Sequence, residues 1–119
     1  MVMIVRAFPV VVPMSELNSF LDEVRGPRRG DIGAMYNRYG VIRESWHLQQ
    51  TPSGPMVIGC TELQEPDLNA AAYAESTGEF ETWFKGQVMK LSGVDAEKAP
   101  LGPETREVFS WSAEDAPLP

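Results

Sequence analysis

A change of hydrophobic period in the middle of the chain constrains the fold more than any other feature. From Val41 onward, large side chains alternate with small or polar ones, which is the period of a β-strand and not of a helix. Residues 51–55, Thr-Pro-Ser-Gly-Pro, have the composition of a turn, and a second strand is predicted over Met56–Glu62. Together these segments predict a β-hairpin spanning Ile42–Glu62.

Helical and strand-like segments flank this hairpin on both sides. The predicted elements, in chain order, are a strand (2–12), a helix (13–25), a short helix with Asp31 as its N-cap (31–39), the two hairpin strands, a helix started by Pro66 and Asp67, a helix whose Ser76 and Glu79 have capping-box spacing (76–92), and a final strand (106–112). This order predicts an α+β domain with a ferredoxin-like four-stranded antiparallel sheet and helices on one face.

The helix-free face of the predicted sheet indicates a partner. The first strand is apolar on both sides and the last carries Phe109 and Trp111, so this face is not purely polar. Small monomers seldom expose so much apolar surface, and a two-fold interface burying about 800 Å² per partner would cover it. We therefore expect two copies to pair through their sheets as a dimeric α/β barrel.

Length, charge and composition exclude several classes of protein. The 119 residues suit a single domain, predicted over 1–112 and followed by a flexible tail over 113–119. The net charge of −7 is uneven, +1 over residues 1–59 and −8 over residues 60–119, which argues against a nucleic-acid partner. No segment has the roughly 20 apolar residues of a membrane span, and the absence of a targeting signal predicts a cytoplasmic protein. The chain has one cysteine, Cys60, and one histidine, which are too few to form a His/Cys metal site. No metal is therefore expected.

Two residues of the first hairpin strand are candidates for catalysis. Glu44 shares a predicted face with apolar residues, where a carboxylate either has a raised pKa or pairs with a cation such as Arg6. It is thus either a structural ion-pair member or a functional acid. His47, on the other predicted face, is either a general base or an exposed or interface histidine.

Aromatic side chains are candidates for a binding pocket between sheet and helices. Tyr36, Trp46 and Trp83 are the candidate ligand-binding residues, with Tyr39 and Phe84 as neighbours. Residues at this spacing form either an ordinary core or the wall of a mostly apolar cleft with few polar groups.

Arginines cluster just before the short helix. Arg25, Arg28 and Arg29 lie among glycine and proline, and arginines near a helix N-terminus can grip a phosphate or carboxylate. Asp22, Glu23 and other nearby acids can equally neutralise the cluster in a solvated loop. Anion binding and a solvated loop both stay open.

The chain resembles the dimeric α/β-barrel superfamily, most closely small bacterial families of unknown function, in three features. These are the hairpin around Glu44–Leu48 and Met56–Cys60, the alanine-rich helix at Ala70–Tyr73, and Ser76 leading into Phe80 and Trp83. The superfamily includes cofactor-independent monooxygenases that bind flat aromatic substrates, haem-binding proteins and isomerase-like proteins. The resemblance implies small-molecule binding in a sheet–helix cleft, with Tyr36, Trp46, Trp83 and His47 as pocket residues. Whether such a small-molecule-binding protein is also a cofactor-independent enzyme on an apolar or aromatic compound stays open; the alternative is a non-catalytic homodimeric accessory module.

Overall fold

The computed structural model describes residues 2–64, 70–95 and 103–114. Within them, strands and helices follow one another as β1 (Val2–Pro9), α1 (Met14–Arg25), α2 (Arg29–Arg38), β2 (Val41–Thr51), β3 (Gly54–Leu63), α3 (Ala70–Glu75) and α4 (Glu79–Ser92). The three strands form one antiparallel sheet in the order β1-β3-β2. The α+β class expected from the sequence is confirmed.

The predicted hairpin is present as β2 and β3. In its turn, the Thr51 hydroxyl donates a hydrogen bond to the Gly54 carbonyl (2.6 Å) and accepts one from the Ser53 N–H (3.1 Å). Gly54 has a φ of 110°, a conformation that residues with a Cβ seldom adopt. The turn fixes the register of the ladder, which runs to Val41 with one irregularity beside that residue. Apart from Ile42, which lies at that irregularity, each β2 residue therefore has a defined partner on β3.

The core lies between one face of the sheet and the helices. The buried cluster draws on both layers and consists of Phe8, Val10, Leu17, Phe20, Met35, Val57, Tyr73, Phe80, Phe84, Val88 and Leu91. The helix predicted over 13–25 is present as α1 and packs its apolar side inward, because Leu17 and Phe20 are buried. Helix α4 ends as predicted at Gly93, whose φ of 72° lets its N–H bond back to the helix (2.8 Å).

Two predicted helix starts differ from the structure. Helix α2 begins at Arg29, so Asp31 lies in its first turn instead of capping it, where a carboxylate still suits the positive end of the helix dipole. Helix α4 begins at Glu79 without a side-chain cap, and the Ser76 hydroxyl donates instead to a backbone carbonyl at the end of α3 (2.6 Å). The predicted helix start at Pro66 and Asp67 lies outside the described residues.

The final strand predicted over 106–112 is not present as a strand. In the segment 103–114 the structure has one antiparallel bridge, between Glu104 and Arg6 of β1, and no regular secondary structure after it. Thr105 adds two hydrogen bonds to a β1 carbonyl, one from its N–H (3.0 Å) and one from its hydroxyl (2.6 Å). Because this bridge lies in the middle of an eight-residue strand, only the first part of the segment has a strand beside it. The described sheet therefore has three strands, not the four expected.

Candidate functional site

A cleft of about 210 Å³ opens between helices α1 and α2 and the helix-packed face of the sheet. Its walls are mostly apolar or aromatic with a few polar groups, and consist of Phe20, Leu21, Val24, Arg25, Ile32, Tyr36, Glu44, Trp46 and Phe84. This mixture is typical of small-molecule sites. Because drug-sized ligands occupy about 300–1,000 Å³, this cleft suits a compound of roughly one ring.

Ordinary spacings bring these side chains together. Phe20 and Val24 are four residues apart on α1, and Ile32 and Tyr36 are four apart on α2, so each pair lies on one side of its helix. On β2, the alternation of the strand puts a carboxylate and an indole two residues apart on the same face of the sheet. The cleft therefore follows from the amphipathic patterns of these three elements, and Phe84 of α4 completes its wall.

Among the described residues that line this cleft, Glu44 is the only carboxylate. The Thr61 hydroxyl, opposite it on β3, contacts both carboxyl oxygens, at 2.7 Å from Oε2 and 3.0 Å from Oε1. Burial raises the pKa of the Glu44 carboxyl from its usual 4.5 to about 7, although Thr61, the Trp46 indole and Arg6 oppose this by favouring the ionised form. Among the described residues no ion pair joins Arg6 to Glu44, so the structural salt bridge considered for this carboxylate is not formed.

The indole of Trp46 forms an aromatic wall beside this carboxyl group. Its ring stacks on Phe20 (5.8 Å between centroids, 17° between planes) and meets Phe8 edge to face (5.5 Å, 81°). The indole N–H is buried and makes no hydrogen bond of ordinary geometry to any described residue, although it lies near enough to Glu44 to lower that carboxyl pKa. A buried, unsatisfied donor of this kind costs about 1–3 kcal/mol, which an oxygen atom of a ligand would recover.

Two tyrosines add hydroxyl groups to the same part of the core. Tyr36 lines the cleft, and burial raises the pKa of its phenol, as does the negative charge of Glu44. Tyr73 is buried against Phe84, and this burial raises the pKa of its phenol. Its hydroxyl has no hydrogen-bond partner among the described residues. Both phenols stay protonated at neutral pH and can donate a hydrogen bond.

His47 lies on the opposite face of the sheet from Glu44. It is exposed, and its Nε2 is 3.1 Å from the hydroxyl of Ser45, the neighbour expected from strand alternation. The sheet therefore separates the two catalytic candidates. Within one chain, His47 and Glu44 cannot act on the same bound molecule.

Trp83 does not line the cleft that contains Glu44. Its ring stacks on the far side of Phe20 (5.7 Å, 23°), and the guanidinium of Arg28 lies 4.2 Å above its centroid. Arg28 is also 3.8 Å from Asp31. The arginine that does reach the cleft is Arg25, whose guanidinium pairs at 3.3 Å with Asp22.

Several residues of the site were not singled out from the sequence. Thr61 is the most informative, because a two-residue turn at Pro52 and Ser53 would have set the hairpin register and put Thr61 opposite Glu44. The apolar lining from α1, including Leu21 and Val24, was not among the site candidates, since a helical apolar stripe does not by itself distinguish a core from a cleft.

Among the described ranges, no group of three or more histidine, cysteine, aspartate or glutamate side chains is arranged to hold a metal ion. None of the described helices combines the length and the apolar character needed to cross a bilayer. Comparison with models of known families, with curated proteins and with solved structures found no match to this chain. The resemblance to the dimeric α/β-barrel superfamily therefore stays a prediction.

Proposed function

We propose that this protein binds a small apolar or aromatic compound in the cleft of Glu44 and that Glu44 exchanges a proton with it. One observation carries the proposal: a half-buried carboxyl group with a single hydroxyl donor lies beside an indole N–H that makes no hydrogen bond of ordinary geometry, in a cleft with aromatic walls. Trp46 and Phe20 supply the apolar contact area. The side chains of the cleft suffice for this step, so we propose no cofactor.

The chemistry follows from the environment of Glu44. Because burial raises its pKa to about 7, the carboxyl group is populated in both protonation states near neutral pH, the condition that favours general acid–base catalysis. The Thr61 hydroxyl orients the carboxyl group by contacting both of its oxygens. The Trp46 N–H lies beside the same carboxyl group and favours its ionised form, so an oxygen atom of the ligand would share this donor with Glu44, which points to a ring compound carrying a carbonyl or hydroxyl group.

A thermal-shift panel tests the binding step. The probes are single-ring aromatic compounds with and without a carbonyl oxygen, and a native-state ligand must raise the melting temperature. We expect a rise for the wild type and for His47→Ala, whose substitution lies across the sheet from the cleft. Trp46→Phe keeps the aromatic wall but removes the N–H, so it should lose the preference for carbonyl compounds. A wild-type melting temperature unmoved by the whole panel contradicts the proposal.

The proton exchange has its own test. For any compound that binds, nuclear magnetic resonance in deuterated water follows the replacement of a ligand C–H hydrogen by deuterium. Exchange that is accelerated by the wild type and slowed at least tenfold in Glu44→Gln supports a general acid–base role. Equal exchange with both proteins limits Glu44 to binding.

A second candidate function, a non-catalytic homodimeric module, is favoured by the helix-free face of the sheet. Val5 on β1 pairs with Cys60 on β3, and Ala7 pairs with Ile58, which makes the centre of this face apolar. The bridge between Glu104 and Arg6 supports a fourth strand beside β1, in the ferredoxin-like order 4-1-3-2. This candidate predicts that Glu44→Gln leaves dimerisation unchanged and that no compound of the panel binds.

A further inference from the structure

The junction of α1 and α2 holds a cluster of arginines that the proposed function does not use. Arg25, Arg28 and Arg29 lie within five positions, at the end of α1 and the start of α2. The guanidinium of Arg28 is 4.2 Å from the ring centroid of Trp83 and 3.8 Å from Asp31. Arg29 is exposed and does not line the cleft. Arg25 is therefore the member of this cluster that can act on a molecule in the cleft.

The guanidinium of Arg25 is held in place but keeps donors for a ligand. Its Nε donates a hydrogen bond to the Leu21 carbonyl (3.2 Å), and its Nη2 donates one to the carboxylate of Asp22 (3.3 Å). A guanidinium has five N–H donors, so three of them make no hydrogen bond to the described residues. The side chain is 67% exposed, and exposed ion pairs one helical turn apart are weak. Asp22 therefore competes only weakly with an anionic ligand.

Arg25 and Glu44 lie toward different ends of the cleft. Arg25 is the last residue of α1, five residues beyond Phe20, which is about 7.5 Å along the helix axis. Phe20 stacks on Trp46, which is two residues from Glu44 on β2. The charges that act on the Glu44 carboxyl include that of Arg6 but not that of Arg25. The apolar walls therefore separate one cation from one carboxyl group.

We infer, on the basis of the proposed function, that the cleft takes single-ring compounds carrying a carboxylate and that Arg25 binds this carboxylate. A guanidinium and a carboxylate form two parallel N–H···O bonds, which a neutral group cannot match. Among the described residues that line the cleft, Arg25 is the only cation. A ligand carboxylate therefore has one end of the cleft at which its charge is paired.

The two polar ends fix the direction in which the ligand lies. A ligand carboxylate beside Glu44 would be next to a second carboxyl group, and each would disfavour ionisation of the other. At the Arg25 end the carboxylate gains a cation and keeps contact with water, because that side chain is exposed. The far end of the ring then lies beside Glu44 and the Trp46 N–H. Suitable substrates are therefore rings with a carboxylate at one end and a carbonyl or hydroxyl oxygen at the other.

A matched pair of compounds tests the preference for a carboxylate. The probes are 4-hydroxybenzoate and 4-hydroxybenzamide, which have nearly the same shape, and only the first is negatively charged. In titration calorimetry the wild type should bind the benzoate at least tenfold more tightly, since a charge-assisted pair gives about that factor or more. Equal affinities overturn the inference and leave the proposed function standing. A wild type that binds neither probe also overturns the inference, and the thermal-shift panel then decides the proposed function separately.

Variants of the arginine cluster locate the contact. Arg25→Gln should reduce the preference below threefold without changing the affinity for the benzamide, and Arg25→Lys should keep an intermediate preference, because it retains the charge but not the two parallel bonds. Asp22→Asn should strengthen benzoate binding about twofold by removing the competing carboxylate. Arg29→Gln is the matched control, because it removes an exposed charge outside the cleft. A tenfold preference in Arg25→Gln overturns the inference, as does its loss in Arg29→Gln.

Glu44→Gln separates carboxylate binding from proton exchange. Because Arg25 binds the carboxylate at the other end of the cleft, this variant should keep the full preference for the benzoate even where exchange is slowed. Loss of the preference in Glu44→Gln would put the ligand carboxylate at the Glu44 end and overturn the inference. Circular dichroism melting curves that match the wild type show that Arg25→Gln is folded, as its exposure leads us to expect.

Discussion

At the scale of single residues, the unusual group is a half-buried carboxyl that forms no ion pair with any described cation. Glu44 accepts a hydrogen bond from the Thr61 hydroxyl and is attracted by the positive charge of Arg6. These interactions do not offset the desolvation of its carboxyl group, so its pKa is raised to about 7. A carboxylate kept in such surroundings lowers stability when it ionises. Proteins tolerate such groups most often where they are used.

Replacing Glu44 by glutamine should change how stability depends on pH. Between about pH 4.5 and 7 the folded chain retains a proton that the unfolded chain has lost, so wild-type stability falls as pH rises through this window, by roughly 3 kcal/mol. Glu44→Gln does not titrate and should lose this fall. Urea unfolding at pH 5 and pH 8 measures it, with Glu62→Gln, on the other face of β3, as the control. Equal pH dependence of wild type and Glu44→Gln would refute the raised pKa.

The hydroxyl of Thr61 should matter most when Glu44 is ionised. Thr61→Val keeps the shape of the side chain but removes the donor to both carboxyl oxygens. We expect a loss of about 1–3 kcal/mol at pH 8, a smaller loss at pH 5, and a further rise of the Glu44 pKa. Carbon nuclear magnetic resonance of the labelled carboxyl follows the titration. A Glu44 pKa that is unchanged or lowered in the variant would show that the hydroxyl does not stabilise the carboxylate.

At the scale of elements, local sequence patterns predicted the hairpin correctly, whereas contacts between distant parts of the chain could not be predicted. The turn chemistry at 51–55 and the alternation around Glu44 were enough for the hairpin and for the separation of Glu44 from His47. The prediction of a final strand was wrong for a non-local reason. Alternating side chains indicate only that one face of a segment can be buried, whereas a strand also needs a neighbouring strand, which depends on the tertiary structure. Tyr36 and Trp46 do line the cleft, but Trp83 lies behind Phe20, since helical spacing does not say which neighbour a ring meets.

Gly86 inside α4 and Gly93 directly after it should respond oppositely to replacement by alanine. Gly93 ends the helix at a φ of 72°, so Gly93→Ala should lower the unfolding free energy by about 1 kcal/mol. Gly86 lies inside the helix, and no neighbouring atom lies within 4 Å of the point that an alanine Cβ would occupy, so Gly86→Ala should raise it by about 0.5–1 kcal/mol. Denaturant unfolding of both variants gives the comparison. The same sign for both would mean that the helix end is not where the structure has it.

At the scale of the whole molecule, one side chain joins the layers. Phe20 of α1 contacts Trp46 of the sheet and both Trp83 and Phe84 of α4, at centroid distances of 5.7 to 5.8 Å. It is 3% exposed. It also forms part of the cleft wall, so packing and proposed binding depend on the same ring.

Truncating this ring should therefore be severe. Phe20→Ala should cost about 3–5 kcal/mol, a large part of the 5–15 kcal/mol typical of a small domain. Phe20→Leu should retain most of the stability but bind aromatic compounds more weakly, which the thermal-shift panel would show as smaller rises in melting temperature. Chemical unfolding measures the first effect, and Ser19→Ala, on the exposed side of the same helix, is the control. A loss below 1 kcal/mol for Phe20→Ala would mean that the two layers are not held together here.

The central position of β3 has a consequence for how the chain reaches its fold. Strand β2 meets β3 through a tight turn, whereas β1 meets it only across separations of 47 residues (Pro9 to Met56) to 61 residues (Val2 to Leu63). Closing so long a loop is slow compared with forming a hairpin. During synthesis at about 5–20 residues per second, β1 is made several seconds before its partner strand exists. In that interval the apolar first strand depends on the growing chain, or on a chaperone, to keep it from pairing elsewhere.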